Sequence, residues 1–403
     1  MLLFYGHTGG VSVLRFQRQN RLILVGIVLL AMLIGVQSLP ALAQVTFDIP
    51  SESGILIDAN TGQILWQKDA HKQLHPASIT KIMTMLLVME AVDSGRASLD
   101  DVLTVSEYAQ SMGGSQVYLE TGEKITLENI MKSIAIASGN DASVAAAEYL
   151  AGTEAAFTQM MNNRAQELGM RNTIFYNSSG LPEDDGGNLT TAYDIAIMSR
   201  ELLKHPKVLE WTSTRIDSIR DGKFVLYNTN NLLSSYEGID GIKTGHTEEA
   251  GYCLAASAKR GDTRLISVVM RTNSLEERAS QTVRLLDFGF NAFTPKLVVQ
   301  QDEEVATIQI PNARKVNNPV AAAKPLTVLV PKADQNAVEK VFVPNKNLSA
   351  PIEAGARVGT LQVSVAGNPA GEVPVVATEE IPLANIFVRF FRWLWQLVAG
   401  LFA

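Results

Sequence analysis

The sequence has little that could cross-link it, since its 403 residues include a single cysteine, Cys253. One cysteine excludes an internal disulfide framework and a thiolate metal cluster. Positive charge is also scarce: 34 Lys and Arg residues stand against 41 Asp and Glu residues, for a net charge of −7, and no basic cluster occurs. Because phosphate contacts need Lys and Arg, we expect no nucleic-acid partner. The 46% hydrophobic and 19% charged content is typical of a folded chain of two or three domains.

The first 43 residues lack acidic side chains altogether. Arg15, Arg18 and Arg21 precede an apolar run from Leu22 to Val36, and a small-x-small string ends at Ala43. This pattern predicts a secretory signal peptide over residues 1–43, and hence an exported protein. An uncleaved membrane anchor stays open as the alternative, because the leader is long for a signal peptide.

The other end of the sequence, residues 381–403, has few polar side chains. Asn385, Arg389, Arg392 and Gln396 are spaced 4, 3 and 4 apart, which places them on one stripe of a helix. The remaining surface of that helix is apolar and aromatic, so we expect it to lie in a membrane interface with both arginines at the lipid headgroups. The alternative is a helix that docks on the protein itself.

Residues 44–294 mix strands with helices. The patterns predict a hairpin at Gly54–Gln67, a buried helix at Ile79–Val92, adjacent buried strands at Ala250–Ala258 and Arg264–Met270, and a helix at Leu275–Phe293.

Past Pro295 the sequence loses its helical period. Short strand-like runs separated by Pro, Gly and Asn predict a small all-β domain over residues 295–380. Those runs are Val305–Ile310, Leu326–Val330, Val338–Val343, Arg357–Val365 and Val373–Ala377. The domain contains no histidine and no cysteine, which indicates a spacer or interaction module rather than a catalytic domain.

Three short strings could carry chemistry: SITK (78–81), SGN (138–140) and KTG (243–245). Each string alone is common, because Ser-x-x-Lys usually marks a solvated helix turn and Lys-Thr-Gly a strand that enters a turn. The three together, in this order and in these settings, predict a nucleophilic serine site.

Ser78 follows Pro76 and Ala77 at the start of the predicted buried helix, and Lys81 lies one turn further on the same face. A free serine hydroxyl is a poor nucleophile and needs an adjacent base. Burial and nearby positive charge favour the neutral form of a lysine, so Lys81 can take the Ser78 proton. The free N–H groups at the helix start can stabilise an oxyanion.

The other two strings complete the expected site. Ser138 and Asn140 lie at a break between two predicted helices, where a hydroxyl can relay a proton and an amide can hold a substrate carbonyl. Lys243 would supply a second cation, and Thr244 lies on a strand whose edge could pair with an extended peptide.

Together, HPASITK, SGN and DGIKTGHTEEAGYCLAASA resemble the signature set of penicillin-binding serine peptidases, and among these the D-alanyl-D-alanine carboxypeptidases of low molecular mass. GGSQVYLETGE (113–123), NSSGL (177–181) and the helix that contains Arg278 extend the resemblance.

The resemblance implies an α+β fold: a penicillin-binding, β-lactamase-like transpeptidase domain with an antiparallel sheet and helices, then a small all-β domain and an amphipathic C-terminal helix. The expected organisation is a signal peptide (1–43), a catalytic domain (44–294), an all-β domain (295–380) and an anchor helix (381–403).

The implied activity is removal of the terminal D-alanine from peptidoglycan stem peptides that end in D-Ala-D-Ala, on the periplasmic face of the cytoplasmic membrane, without a metal or cofactor. β-Lactams would be covalent inhibitors. The implied catalytic residues are Ser78 as nucleophile, Lys81 as general base and Ser138 as proton relay. The implied substrate-binding residues are Asn140, Lys243, Thr244, Gly245, His246 and Arg278.

One departure and several alternatives remain. Relatives often have an arginine where this sequence has Thr229, which leaves more of the carboxylate binding to Thr244 and Arg278. His246 could instead be a packing residue, and Arg278 could instead be a surface helix residue. A β-lactamase is disfavoured by SGN in place of SDN, whereas a DD-endopeptidase and a wall-binding scaffold stay open.

Overall fold

The computed structural model describes residues 47–182 and 186–400, without the side chains of residues 395–400. The predicted signal peptide, residues 1–43, lies outside the described residues.

The strands of the described residues run through most of the chain. They are β1 (Ser53–Asp58), β2 (Ile64–Lys68), β3 (Val102–Thr104), β4 (Lys124–Thr126), β5 (Ile216–Ile219), β6 (Phe224–Tyr227), β7 (Ile239–Thr247), β8 (Gly251–Arg260), β9 (Thr263–Thr272), β10 (Phe293–Val299), β11 (Glu304–Gln309), β12 (Asn317–Ala322), β13 (Leu326–Pro331), β14 (Val338–Pro344), β15 (Arg357–Val365) and β16 (Asn368–Ala377).

The helices fall almost entirely before residue 293. They are α1 (Lys81–Asp93), α2 (Glu107–Gln110), α3 (Leu127–Ala135), α4 (Asn140–Ala151), α5 (Glu154–Glu167), α6 (Ala192–Leu202), α7 (Lys207–Thr212), α8 (Leu275–Ala292) and α9 (Ile386–Gly400). Single 3-10 turns cover Ala77–Thr80 and Asn231–Ser234.

The mixed region, residues 49–292, is built on an antiparallel sheet with the strand order β2-β1-β9-β8-β7. The predicted hairpin forms β1 and β2, and the two predicted buried strands form the centre of the sheet as β8 and β9. These central strands are apolar on both faces because helices cover both sides, so β8 is buried throughout Cys253–Ala258. The expected α+β class is confirmed.

Helix α1 lies in the core of the mixed region. Every side chain from Lys81 to Met89 is buried, and the helix packs against α3, α4 and α6 as well as the sheet. A helix that is apolar all round can be stable only when neighbouring elements surround it. The position of Lys81 at its first turn therefore forces an amine into the protein interior.

The β region, residues 293–384, contains a five-stranded sheet with the order β11-β12-β16-β15-β14 and a strand pair, β10 with β13. The five predicted strands are present, but β10 and β12 were not predicted. Each contains a proline, Pro295 and Pro319, which cannot donate to a ladder. Proline alone does not explain the difference, because the predicted run in β16 contains Pro374. Helix α8 correspondingly ends at Ala292, one residue before the expected end, because Phe293 already belongs to β10.

A reciprocal contact joins the two regions. The Gln63 side chain donates to the carbonyl of Leu329 (2.8 Å) and accepts from its N–H (3.0 Å), and all of these groups are buried. The side-chain amide thereby completes both backbone hydrogen bonds of one residue in β13.

In helix α9, one of the two arginines is not placed as expected, since both were expected to reach lipid headgroups. Arg392 instead donates to the carbonyls of Pro311 (3.0 Å), Ala313 (2.7 Å) and Arg314 (3.1 Å), whereas Arg389 is exposed. These three carbonyls belong to a connection between strands of the β region, so the guanidinium finds fixed acceptors there. Within residues 47–182 and 186–400, no helix combines the length and hydropathy needed to cross a bilayer.

Candidate active site

Ser78 lies at a strained turn at the start of α1. Ala77 adopts φ +47°, in the left-handed region that a side chain with a Cβ rarely occupies. The 3-10 turn then leads directly into the helix at Lys81. The half-buried Ser78 side chain faces the pocket described below, and backbone strain of this kind persists only where the surroundings hold the turn in place.

The Lys81 amine lies directly behind Ser78. Its Nζ is 2.9 Å from Ser78 Oγ, and it donates to Asn140 Oδ1 (2.6 Å) and to the carbonyl of Ser179 (2.7 Å). Burial lowers the pKa of Lys81 well below its usual value, the positive charge of Lys243 lowers it further, and Asp141 opposes both effects. A buried amine in hydrogen-bond contact with a hydroxyl can accept the proton of that hydroxyl.

The loop at residues 113–119 holds the start of α4. The Asp141 carboxylate accepts hydrogen bonds from the N–H groups of Val117 (3.0 Å) and Leu119 (3.0 Å). The Asn140 amide donates to the carbonyl of Gly113 (2.8 Å), which turns its oxygen toward Lys81. The Asn140 oxygen therefore orients the Lys81 amine, and its expected role in positioning substrate stays a prediction.

The loop at residues 177–181 provides the third contact of Lys81. Ser178 is fixed by the Glu154 carboxylate, which accepts from its N–H (2.9 Å), and by Thr84, which donates to its carbonyl (2.6 Å). The next carbonyl, that of Ser179, is thereby aimed at the Lys81 amine. Gly180 passes so close to the Ser78 turn that a Cβ there would lie 1.9 Å from the carbonyl oxygen of Ala77.

Strand β7 forms the opposite wall. Gly245 allows a close approach to the nucleophile turn, since a Cβ there would lie 2.6 Å from the carbonyl oxygen of Pro76. Lys243 is buried and donates to the carbonyl of Thr244 (3.2 Å). Burial, together with the positive charge of Arg278, lowers the pKa of Lys243 to about 7. His246 is exposed and stacks on Tyr252, with a ring-centroid distance of 4.0 Å.

A pocket of about 450 Å³ connects these walls. It is lined by Ser78, Ser115, Ser138, Thr229, Asn231, Thr244, Gly245, His246, Tyr252, Leu275 and Arg278. Ser138 adopts φ +64° and is 3% exposed. Arg278 is only 5% exposed, and its Nε has no hydrogen-bond partner. A buried guanidinium with an unpaired N–H, beside a second buried cation, suits an anionic ligand group.

The structure brings most of the sequence-predicted residues to one place. Six of them line the pocket, namely Ser78, Ser138, Thr244, Gly245, His246 and Arg278. Lys81 and Asn140 lie behind Ser78, and Lys243 is buried in β7.

Residue-level reasoning did not single out the contacts of Ser115, Asp141, Ser179 and Tyr252. A signal was available for Ser115, Ser179 and Tyr252, which lie in the matching strings GGSQVYLETGE, NSSGL and DGIKTGHTEEAGYCLAASA. Asp141 directly follows the SGN string, but its carboxylate is bound by a loop more than twenty residues away.

Comparisons with known proteins point to one family. A family model described as D-alanyl-D-alanine carboxypeptidase matches residues 40–274, and one described as penicillin-binding protein 5, C-terminal domain, matches residues 293–383. The chain is 43% identical to the D-alanyl-D-alanine carboxypeptidase DacF of Bacillus subtilis, with 85% of this chain and 88% of the relative covered. It is 34% identical to DacD of Escherichia coli, with 85% and 89% covered.

Solved structures are also similar. Penicillin-binding protein 5 from Haemophilus influenzae superimposes with a TM-score of 0.74 at 28% identity, over 83% of this chain and 98% of the other. Penicillin-binding protein D2 from Listeria monocytogenes, in its ampicillin-bound form, gives a TM-score of 0.56 at 34% identity, over 60% and 98%.

The contact between Gly180 and the Ser78 turn predicts the effect of a single methyl group. Gly180→Ala places a Cβ 1.9 Å from a backbone oxygen, so the turn must move. We expect a loss of more than about 4 kcal/mol in the free energy of unfolding, measured by urea denaturation.

Gly122→Ala is the matched control. Gly122 has the same φ of +82°, but a Cβ there would meet nothing within 4 Å. We expect it to lose about 1–2 kcal/mol, the cost of the left-handed backbone alone. Equal losses in the two variants would show that the close approach to Ala77 is unimportant.

Proposed function

The chain belongs to the D-alanyl-D-alanine carboxypeptidase family, and on that premise we propose which of its residues carry the reaction. The enzyme is a serine peptidase that removes the terminal D-alanine from peptidoglycan stem peptides through an acyl-enzyme. Ser78 is the nucleophile and Lys81 its general base. The observation that carries this assignment is the 2.9 Å contact between Ser78 Oγ and the buried Lys81 amine.

Acylation begins with the neutral Lys81 amine. Lys81 accepts the Ser78 proton as Oγ attacks the carbonyl of the D-Ala-D-Ala bond, and the backbone N–H groups of Ser78 and His246 hold the oxyanion that forms. The tetrahedral intermediate collapses when the C–N bond breaks. Ser138 passes a proton to the departing amine of D-alanine and is reprotonated with the proton that Lys81 took from Ser78, with Lys243 assisting this relay, so that Lys81 is neutral again.

Deacylation reverses the roles of the proton carriers. A water molecule attacks the acyl carbonyl, Lys81 takes one water proton, and Ser78 leaves with a proton restored to its oxygen. The free stem peptide, now shorter by one alanine, departs. The depressed pKa of Lys81 supports both steps, because an ammonium with a pKa near 10.5 would hold its proton at neutral pH.

The terminal carboxylate of the substrate is bound at the far end of the pocket. Thr244 and Arg278 line that pocket, and Lys243 lies buried beside them. Two buried cations without carboxylate partners among the described residues create a field that favours a ligand anion. Arg278 therefore contributes through its unpaired N–H rather than as a surface helix residue. β-Lactams present a carbonyl and a carboxylate to the same groups and acylate Ser78.

We also propose the domain division 44–294 for the catalytic domain and 295–380 for an all-β spacer that carries no catalytic group. The signal peptide directs export, so the enzyme acts on the outer face of the cytoplasmic membrane.

Helix α9 binds the outer face of this membrane. Its support is a group of exposed large apolar side chains, among them Phe387 (72%), Phe391 (63%) and Trp393 (56%).

In this arrangement α9 is docked and membrane-bound at once. Arg392 fixes one side of the helix to the β region, which leaves the aromatic side free to enter the headgroup boundary. Because the net charge of −7 opposes attraction to anionic polymers, the helix supplies the localisation.

The nucleophile assignment is tested with a synthetic pentapeptide stem. The wild type should release one alanine, detected by mass spectrometry, and should retain fluorescent penicillin covalently. Ser78→Ala should lose both, by at least about a thousandfold in turnover, since no other group takes its place. The exposed Ser94→Ala is the control and should match the wild type. Penicillin labelling of Ser78→Ala at the wild-type rate would refute the assignment.

The electrostatic balance at Lys81 predicts a pH effect. The negative charge of Asp141 raises the pKa of Lys81, so Asp141→Asn should lower that pKa further. The neutral base then persists to lower pH, and the acidic limb of the penicillin acylation profile should move to lower pH. The profile is measured by stopped-flow acylation at several pH values.

Asp100→Asn, which removes an exposed carboxylate, is the matched control and should leave the limb in place. A thermal melt of Asp141→Asn checks that the loop at residues 113–119 is retained. A limb that stays in place or moves to higher pH in Asp141→Asn would contradict the role of Asp141.

Membrane binding by α9 is tested with protein that begins at Gln44 and with vesicles of phosphatidylglycerol and phosphatidylethanolamine. Phe387→Glu with Phe391→Glu should weaken co-sedimentation by roughly tenfold or more per phenylalanine, because each ring loses its apolar burial. Val341→Glu is the matched control: its side chain is 56% exposed but lies on β14. Equal binding of all three proteins would exclude α9 as the membrane contact.

A further inference from the structure

Thr229 occupies a position in the pocket wall that the reaction described above does not use. Its hydroxyl oxygen lies 2.6 Å from that of Thr244, and both residues line the pocket. Thr229 comes from the segment between β6 and the 3-10 turn at residues 231–234, whereas Thr244 lies on β7. The two hydroxyls therefore meet only through the tertiary fold.

The segment around Thr229 is held firmly. Asn228 donates to the carbonyl of Thr214 (2.8 Å) and accepts from the N–H of Asn230 (2.9 Å). Asn230 in turn accepts from the N–H of Leu232 (3.2 Å). Two asparagines thus fix the backbone on either side of Thr229, so its hydroxyl is presented in a defined place.

The backbone of Thr229 also connects two walls of the site. Its N–H donates to the carbonyl of Ile136 (3.3 Å), two residues before Ser138, while its side chain contacts Thr244. Thr229 therefore holds the segment that contains the SGN string and the strand that contains the KTG string at a fixed separation.

The number of hydroxyl protons on Thr229 and Thr244 determines how this pair can bind a carboxylate. A hydroxyl has one proton to donate, whereas a carboxylate only accepts. If Thr229 donates to Thr244 Oγ1, the Thr244 proton is left for the ligand, and a chain of hydroxyl donors is polarised in one direction. Thr244 is only 6% exposed, and its hydrogen bond with Thr229 fixes the rotamer of its hydroxyl.

We propose that Thr229 is a positioning residue that directs the Thr244 hydroxyl toward the terminal carboxylate of the substrate, and so sets specificity for a free C-terminus. The proposal rests on the proposed function of the pocket. Thr229 acts through Thr244, whereas Arg278 supplies the charge.

The test uses matched variants and matched substrates. Thr229→Val keeps the shape and removes the hydroxyl, and Thr229→Ser keeps the hydroxyl. The substrates are acetylated L-lysyl-D-alanyl-D-alanine and its C-terminal amide, which lacks the carboxylate. Thr229→Val should lower kcat/KM for the free acid by about tenfold, mainly through KM, as expected for a weakened hydrogen bond to a charged group. The amide should be unaffected, and Thr229→Ser should recover most of the loss.

A double-mutant cycle separates positioning from direct contact. In a Thr244→Val background, the further change Thr229→Val should lower kcat/KM for the free acid by less than about twofold, because its target hydroxyl is gone. A tenfold loss of kcat/KM in that background would mean that Thr229 touches the carboxylate itself, and would overturn the proposal. Equal losses on the acid and the amide, or no loss on either, would also overturn it.

Acylation by benzylpenicillin and by its methyl ester gives the same comparison without peptide turnover. The second-order rate constant should fall in Thr229→Val for the acid and not for the ester. A failure of the proposed function is distinguishable, since the wild type would then release no D-alanine from the tripeptide while these acylation rates still report on Thr229.

Discussion

The burial of the Lys81 amine is the constraint on which the rest of the molecule depends. An amine can remain in an apolar interior only if it is neutral or fully hydrogen-bonded. At Lys81, burial lowers the pKa of the amine, and its Nζ contacts Ser78, Asn140 and the carbonyl of Ser179. Each contact comes from a different element, so the position of one amine specifies how α1, α4 and the 177–181 loop must meet.

The charged groups around Lys81 act on the protonation of its amine in opposite directions. The positive charge of Lys243 favours the neutral form of Lys81, and that of Arg278 favours the neutral form of Lys243, while the buried Asp141 carboxylate favours the charged form of Lys81. The Asp141 carboxylate is stabilised by backbone N–H groups rather than by an arginine, which keeps the cations of the site unpaired. The same arrangement that makes Lys81 a base therefore leaves Arg278 available for an anionic substrate group.

The β region and α9 are separable from this chemistry. The Gln63 amide joins the regions through the backbone of Leu329, far along the chain, and Arg392 joins α9 to the β region in the same way. Both are polar side chains that complete backbone hydrogen bonds at a junction. They orient the parts of the protein without extending the hydrophobic core across the boundary.

The catalytic strings could be found from the sequence by itself, because spacing is a local property, and the α+β class followed from the family that those strings resemble. The sequence also indicated that Lys81 would be buried, since α1 is apolar on every side. It missed β10 and β12, which are held in place by pairing with β13, and with β11 and β16. Only the tertiary structure decided that Asn140 orients Lys81 and that Arg278 lines the pocket. The meeting of Thr229 with Thr244 was decided there as well. The physical reason is that these hydrogen bonds and burials join residues whose separation along the chain says nothing about their separation in space.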